Sequence, residues 1–141
     1  MICTCIAVDD EPLALEKIIS FIGRFPSLKL EKTFDKPVDA LDFLSANKTD
    51  LLFLDIQMEN MTGLDLLAAL SDRPQVIMLT AYSEYALKGY EFEVTDYLLK
   101  PYSFERFAQA VNKALKRMTE KTPVAGNAPN FIFVKSDYRL V

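Results

Sequence analysis

The chain has 141 residues, with 16 lysines and arginines against 20 aspartates and glutamates for a net charge of −4, and it contains no histidine. That length suits one domain with a core of its own, and the missing histidine excludes His-ligated zinc, Ser-His-Asp hydrolysis and histidine general-base chemistry within the chain. The glycines Gly23, Gly63, Gly89 and Gly126 are too scattered to write a nucleotide fingerprint, and the acidic balance argues against unaided binding of nucleic acid.

Short apolar runs alternate with longer amphipathic stretches. Strands are predicted over 2–8, 28–34, 51–54, 75–79 and 97–99, and helices over 13–24, 37–46, 62–71, 84–91 and 103–119. The opening run carries Cys3 and Cys5 two apart, on one face of a strand, where they read as small buried apolar residues in a reducing compartment. It breaks off at Asp9-Asp10-Glu11 with no basic start and no cleavage site, so a signal peptide is not expected, and no apolar run reaches membrane-spanning length. The expectation is a cytoplasmic protein with no membrane partner. Leu13, Ile18, Phe21 and Ile22 form the expected apolar stripe of the first helix; Phe104, Phe107, Ala108, Val111 and Leu115 form that of the last. Leu51-Leu52-Phe53-Leu54 is apolar at every position, as a strand covered on both faces should be, and is the candidate sheet centre. Such alternation implies an α/β fold, a parallel sheet with helices on both faces. Past residue 120 the chain turns small, polar and proline-rich, then apolar again from Phe131 to Val134. This reads as a linker over 121–130 and a partial β-hairpin over 131–141, after a domain over 1–120.

In an open parallel sheet, ligands bind beyond the carboxyl ends of the strands. The residues found there are Asp9, Asp10 and Glu11 after the first strand, Asp55 after the third, Thr80 and Ala81 after the fourth, and Lys100 and Pro101 after the fifth. Singly these are ordinary: acids and a proline opening a helix, a loop acid, a helix-capping threonine, a solvated lysine. Together they bring repelling carboxylates close, and such a cluster binds protons more tightly unless a cation neutralises it. Oxygen ligands without histidine or thiolate point to Mg²⁺.

The segments Val8-Asp9-Asp10-Glu11-Pro12, Leu54-Asp55-Ile56-Gln57-Met58 with Gly63 following, Leu79-Thr80-Ala81 and Asp96-Tyr97-Leu98-Leu99-Lys100-Pro101 resemble the motifs of the receiver domain of bacterial two-component response regulators. A chemotaxis relative in that family has the doubly wound, flavodoxin-like order 2-1-3-4-5. Thr80-Ala81-Tyr82, Glu84-Tyr85-Ala86-Leu87 and the tail from Phe131 to Tyr138 are similar to the subclass that carries a LytTR-type DNA-binding domain. The resemblance implies a signalling phosphoacceptor rather than a turnover enzyme. Asp55 would take a phosphoryl group from a sensor histidine kinase, with Mg²⁺ held by Asp10, Asp55 and the Gln57 backbone carbonyl, and by Asp9 largely through water. Thr80, the Ala81 N–H and Lys100 would bind the phosphoryl oxygens, and the Lys100-Pro101 peptide would be cis. Thr80 and Tyr97 would form the switch, biasing a face made by helix 84–91, strand 97–99 and helix 103–119 through which two copies could pair. DNA contact would fall to the C-terminal domain, the basic Lys113, Lys116, Arg117 and Lys121 being a solvated helix face.

One position departs from the pattern. Glu59 stands where the family commonly has proline, which frees a backbone dihedral and adds a charge beside the site, with an expected effect on Mg²⁺ affinity or phosphate lifetime. Two other readings compete: a metal-dependent phosphohydrolase with an aspartate nucleophile, and a receiver-like interaction module that is never phosphorylated. The first resembles enzymes with a second aspartate two residues on, where this chain has Gln57.

Overall fold

A computed structural model of the protein describes residues 2–82 and 93–121. The strands are β1 (Cys3–Val8), β2 (Leu28–Phe34), β3 (Leu51–Asp55), β4 (Gln75–Thr80) and β5 (Asp96–Leu99), and they form one sheet in the order β2-β1-β3-β4-β5 with every pairing parallel. The helices among the described residues are α1 (Pro12–Ile22), α2 (Pro37–Ala46), α3 (Gly63–Ala69) and α4 (Phe104–Lys121). The helix expected over 84–91 and the linker and hairpin expected beyond 121 lie outside the described residues. Among those described, no helix is long and apolar enough to cross a membrane.

The apolar run 51–54 occupies the centre, and β3 is buried at every position. Alternate residues of the strands feed two separate cores. On one face Cys3, Cys5, Ala7, Leu51, Phe53, Ile77, Leu79 and Leu98 meet Ile18 and Ile22 of α1 and Phe107, Ala110, Val111 and Ala114 of α4. On the other, Ile6, Val8, Leu52, Leu54, Val76 and Met78 meet Ala40 and Leu44 of α2 and Leu66 and Leu67 of α3. Edge strand β2 serves both faces because its register slips by one residue between Cys5 and Ile6. Leu28 and Leu30 therefore pack on the first face and Phe34 on the second, which a strict two-residue period forbids.

Local chemistry starts the helices where the sequence suggests. Pro12 opens α1, and the Glu11 side chain accepts the Ala14 N–H at 3.1 Å. Thr62 and Asp65 cap α3 reciprocally, each side chain accepting the other's backbone N–H at 3.1 Å. The stripe of α1 is corrected at one end: Leu13 is 69% exposed, and Leu15 packs against the core instead. Leu13 lies five residues before Ile18, well off its side of a 3.6-residue turn, whereas Leu15 lies three before it. In α4, Ala110 and Ala114 are fully buried while Ala108 is only half-buried. Both cysteines are fully enclosed, and burial, the largest cause, pushes each thiol up to about 12.

An ion pair ties α4 to the last strand. Arg106 donates from Nη1 to Asp96 Oδ2 at 3.0 Å and from Nη2 to Asp96 Oδ1 at 2.9 Å, and Nη2 also reaches the Tyr97 carbonyl at 3.0 Å. Lys113 approaches the same carboxylate at 3.4 Å, so this part of the basic helix face pairs with an acid. Burial alone would raise the Asp96 carboxyl, but the Arg106 and Tyr97 hydrogen bonds and the charges of Arg106 and Lys113 hold it below its usual value. Removing Arg106 leaves a buried carboxylate with only the Tyr97 N–H and the more distant Lys113 as partners. Arg106→Ala should therefore destabilise the fold by about 2–3 kcal/mol at neutral pH, less than a wholly enclosed pair because Lys113 and solvent remain. A lowered folded pKa means that this loss is present above the unfolded value near 4 and shrinks as the pH falls below it, which denaturant titrations at pH 7 and pH 3.5 will show.

Gly63 opens α3 against the end of β3. A Cβ there would lie 2.5 Å from the Asp55 carbonyl oxygen, 3.0 Å from Ile56 Cα and 3.1 Å from Leu54 Cγ. Gly63→Ala should cost about 1–3 kcal/mol in the same titrations, because backbone has to shift to admit the methyl group.

Candidate functional site

The parallel order sets β1, β3, β4 and β5 side by side with their carboxyl ends on one edge of the sheet. Asp9 follows β1, Asp55 ends β3, Thr80 ends β4 and Lys100 follows β5. Asp9 and Asp55 are buried, at 1% and 5% exposure, while Asp10 lies at the solvent rim. Carboxylate oxygens of Asp9, Asp10 and Asp55 all lie within 4.8 Å of one another.

Lys100 Nζ enters this cluster. It donates to Asp9 Oδ2 at 2.8 Å and to Asp55 Oδ1 at 3.1 Å. Asp9 also accepts the Glu11 N–H at 3.0 Å through Oδ1, so both of its oxygens are engaged. Burial, helped by the charges of Asp9 and Asp10, pushes the Asp55 carboxyl up to about 6, even though the charge and hydrogen bond of Lys100 pull the other way. For Lys100 burial favours the neutral amine, but its bonds to and charge attraction by Asp9 and Asp55 outweigh this and hold the ammonium above its usual value. The site is thus an acid cluster whose charge one lysine only partly offsets. Its donors are all hard oxygens close enough to share one small divalent cation, which fits Mg²⁺.

The remaining expected residues are placed unevenly. Thr80 is buried, and its Oγ1 accepts the Tyr82 N–H at 3.0 Å and donates to the Tyr82 carbonyl at 3.4 Å. Its hydroxyl is therefore occupied locally. Ala81 is exposed beside it, and Gln57 is exposed on the loop after β3. The Lys100-Pro101 peptide is cis. Tyr97 is half-buried against the α2 and α3 core, and its N–H donates to Asp96 Oδ1 at 2.8 Å.

Two contributors escape a reading by strand ends. Tyr102 is buried just behind Lys100, and burial together with the charges of Asp9 and Asp55 raises its phenol. Lys17 on α1 sits 4.1 Å from the centre of its ring. The second is the backbone of Glu59, whose N–H donates to Asp10 Oδ2 at 3.2 Å across 49 residues of sequence. An exposed loop glutamate gives no hint that its amide matters; the departure from proline was the available signal.

Because the folded Asp55 pKa is raised, its contribution to stability is fully present below the unfolded value near 4 and is lost as the pH rises through about 6. In chelator, Asp55→Asn should melt several degrees above the parent at pH 7.5, and the gap should close at pH 4. Scanning calorimetry at the two pH values checks the sign.

Comparison with known proteins agrees with this arrangement. Residues 5–112 match the response regulator receiver domain family. The chain is 37% identical over 119 residues to the sensory transduction protein LytT of Enterococcus faecalis, covering 82% of this chain and 49% of that protein. It is 34% identical over 133 residues to the positive alginate biosynthesis regulatory protein of Pseudomonas aeruginosa, covering 86% of this chain and 54% of that one. It thus spans about half the length of the curated relatives it matches. Among solved structures, the response regulatory domain of mrkE from Klebsiella pneumoniae superposes with a TM-score of 0.77 at 30% identity, over 84% of this chain and 99% of that one. The receiver domain of AraT from Geobacillus stearothermophilus gives 0.78 at 27% identity, over 87% and 100%. With the sheet order, the acid edge and the family match in agreement, the chain belongs to the response regulator receiver domain family.

Proposed function

We propose that this domain receives a phosphoryl group on Asp55 from a phosphohistidine of a sensor kinase and passes the signal to a DNA-binding domain of LytTR type. The observation that carries this is the environment of Asp55: a buried carboxylate at the end of the central strand, facing two further acids and bonded to a lysine. An Asp55 oxygen attacks phosphorus, the P–N bond breaks, and the departing imidazole keeps the electron pair and takes a proton. Asp10, Asp55 and the Gln57 carbonyl would hold Mg²⁺, with Asp9 acting mainly through water, and the ion would supply charge neutralisation between the acids and the incoming oxygens.

The chain's own residues do the rest. Lys100 exchanges its bond to Asp55 for one to a phosphoryl oxygen, keeping Asp9 as its second partner. Thr80 gives its hydroxyl proton to another oxygen, helped by the Ala81 N–H, and in doing so gives up its donation to the Tyr82 carbonyl. Release of the 80–82 turn together with movement of Tyr97 is then the switch, read out on the face of 97–99 and 103–119, where two copies could pair; segment 84–91, expected to share that face, lies outside the described residues. Gln57 supplies no general acid or base, so the phosphate is lost slowly and steady turnover is not expected. Residues 1–120 form the receiver, 121–130 the linker and 131–141 the start of the effector, which accords with a relative named a transcriptional regulatory protein, only 52% of whose length the match covers.

Incubation with a small phosphodonor and Mg²⁺ should yield one acid-labile phosphate per chain, abolished in Asp55→Ala and formed about 10²-fold more slowly in Lys100→Ala. Undiminished labelling of Asp55→Ala overturns the assignment. Multi-turnover hydrolysis of a phosphomonoester would favour the phosphohydrolase instead.

A further inference from the structure

We infer that the backbone N–H of Glu59 is a positioning group for the metal carboxylate Asp10, an inference that rests on the Mg²⁺ site proposed above. The N–H donates to Asp10 Oδ2 at 3.2 Å and bridges the loop after β3 to the loop after β1. The carboxylate keeps Oδ1 and the second lone pair of Oδ2 for a cation, so the bond orients Asp10 without using up its capacity as a ligand.

The loop is built to aim this amide. The Met61 N–H donates to the Glu59 carbonyl at 2.8 Å, closing a tight turn whose central residue, Asn60, has φ 72°. That left-handed value is costly for most residues and more easily tolerated by asparagine. One turn further on, the Gly63 N–H donates to the Ile56 carbonyl at 2.8 Å, and the missing Cβ lets α3 begin directly against Asp55. The segment 56–63 is thus closed on itself at both of these points, and the Glu59 amide projects from it onto Asp10. Strain of this kind persists where the surroundings hold it, and here it is held beside the acid cluster.

A proline at this position, the residue the family commonly carries, has no N–H and cannot make the bond. The distinguishing property of Glu59 is therefore its amide as much as its charge. Outer partners that orient a metal's ligands typically contribute 10- to 100-fold to affinity. The charged side chain, exposed to water, contributes little by comparison.

The test separates amide from side chain. Calorimetric titration with Mg²⁺ should show a dissociation constant about tenfold weaker in Glu59→Pro, with Glu59→Ala, which keeps the N–H, staying within about twofold of the parent. A second measurement needs neither metal nor a proline variant. In chelator, hydrogen exchange at the Glu59 amide should quicken about tenfold in Asp10→Ala, while amides of β3 and β4 keep their rates. Equal Mg²⁺ affinity in Glu59→Pro and parent, equal weakening in Glu59→Ala and Glu59→Pro, or unaltered exchange at Glu59 in Asp10→Ala would each overturn the inference and leave the phosphoacceptor reading standing. A parent protein that does not bind Mg²⁺ at all overturns the metal site itself, and the inference with it.

Discussion

Everything at the working edge depends on holding like charges together in a poorly solvated place. Asp9 and Asp55 are almost completely enclosed, and the repulsion between them would favour protonation or local opening if nothing opposed it. Lys100 opposes it from a third strand, bonded to both. Its compensation is incomplete: burial above all, with the charge of Asp9, still holds the Asp55 carboxyl above its usual value, and three acids facing one lysine leave the edge an acidic cluster that could hold a small cation.

That balance is possible only because of strand order. β1 and β3 are neighbours, whereas β5 sits two strands from β3, with β4 between. A lysine side chain is long enough to span that gap; an aspartate or threonine is not. The packing beneath is correspondingly rigid: β3 is enclosed on both faces, Phe53 stacks on Phe107 at 5.4 Å between ring centres, and Phe21 meets Tyr102, Phe104 and Phe107 edge-on. The acids are presented by a frame that does not yield to their repulsion, and Arg106 locks the frame's outer strand to its helix.

Much of this was legible in the sequence because the signal is one-dimensional. Each apolar run ends in a chemically distinct residue, and a parallel sheet collects such ends automatically, so Asp9, Asp55, Thr80 and Lys100 could be named as neighbours before any distance was known. Contacts between loops and across elements left no such mark. The Arg106 and Asp96 pair joins a helix to a strand with no periodicity to announce it, and the Glu59 amide belongs to the backbone, which every residue but proline shares. Leu13 misled because hydrophobicity was counted without its phase along the helix. The slip in β2 likewise depends on pairing geometry that a composition cannot carry.

The two buried thiols have a practical consequence. With each raised to about 12, fewer than about one in ten thousand is ionised at neutral pH, and neither offers a surface to a reagent. The folded receiver is in effect a cysteine-free background. A single thiol engineered at an exposed position can carry a spin label or a fluorophore without first removing the native pair, so motion of the edge could be followed in a chain whose interior is untouched.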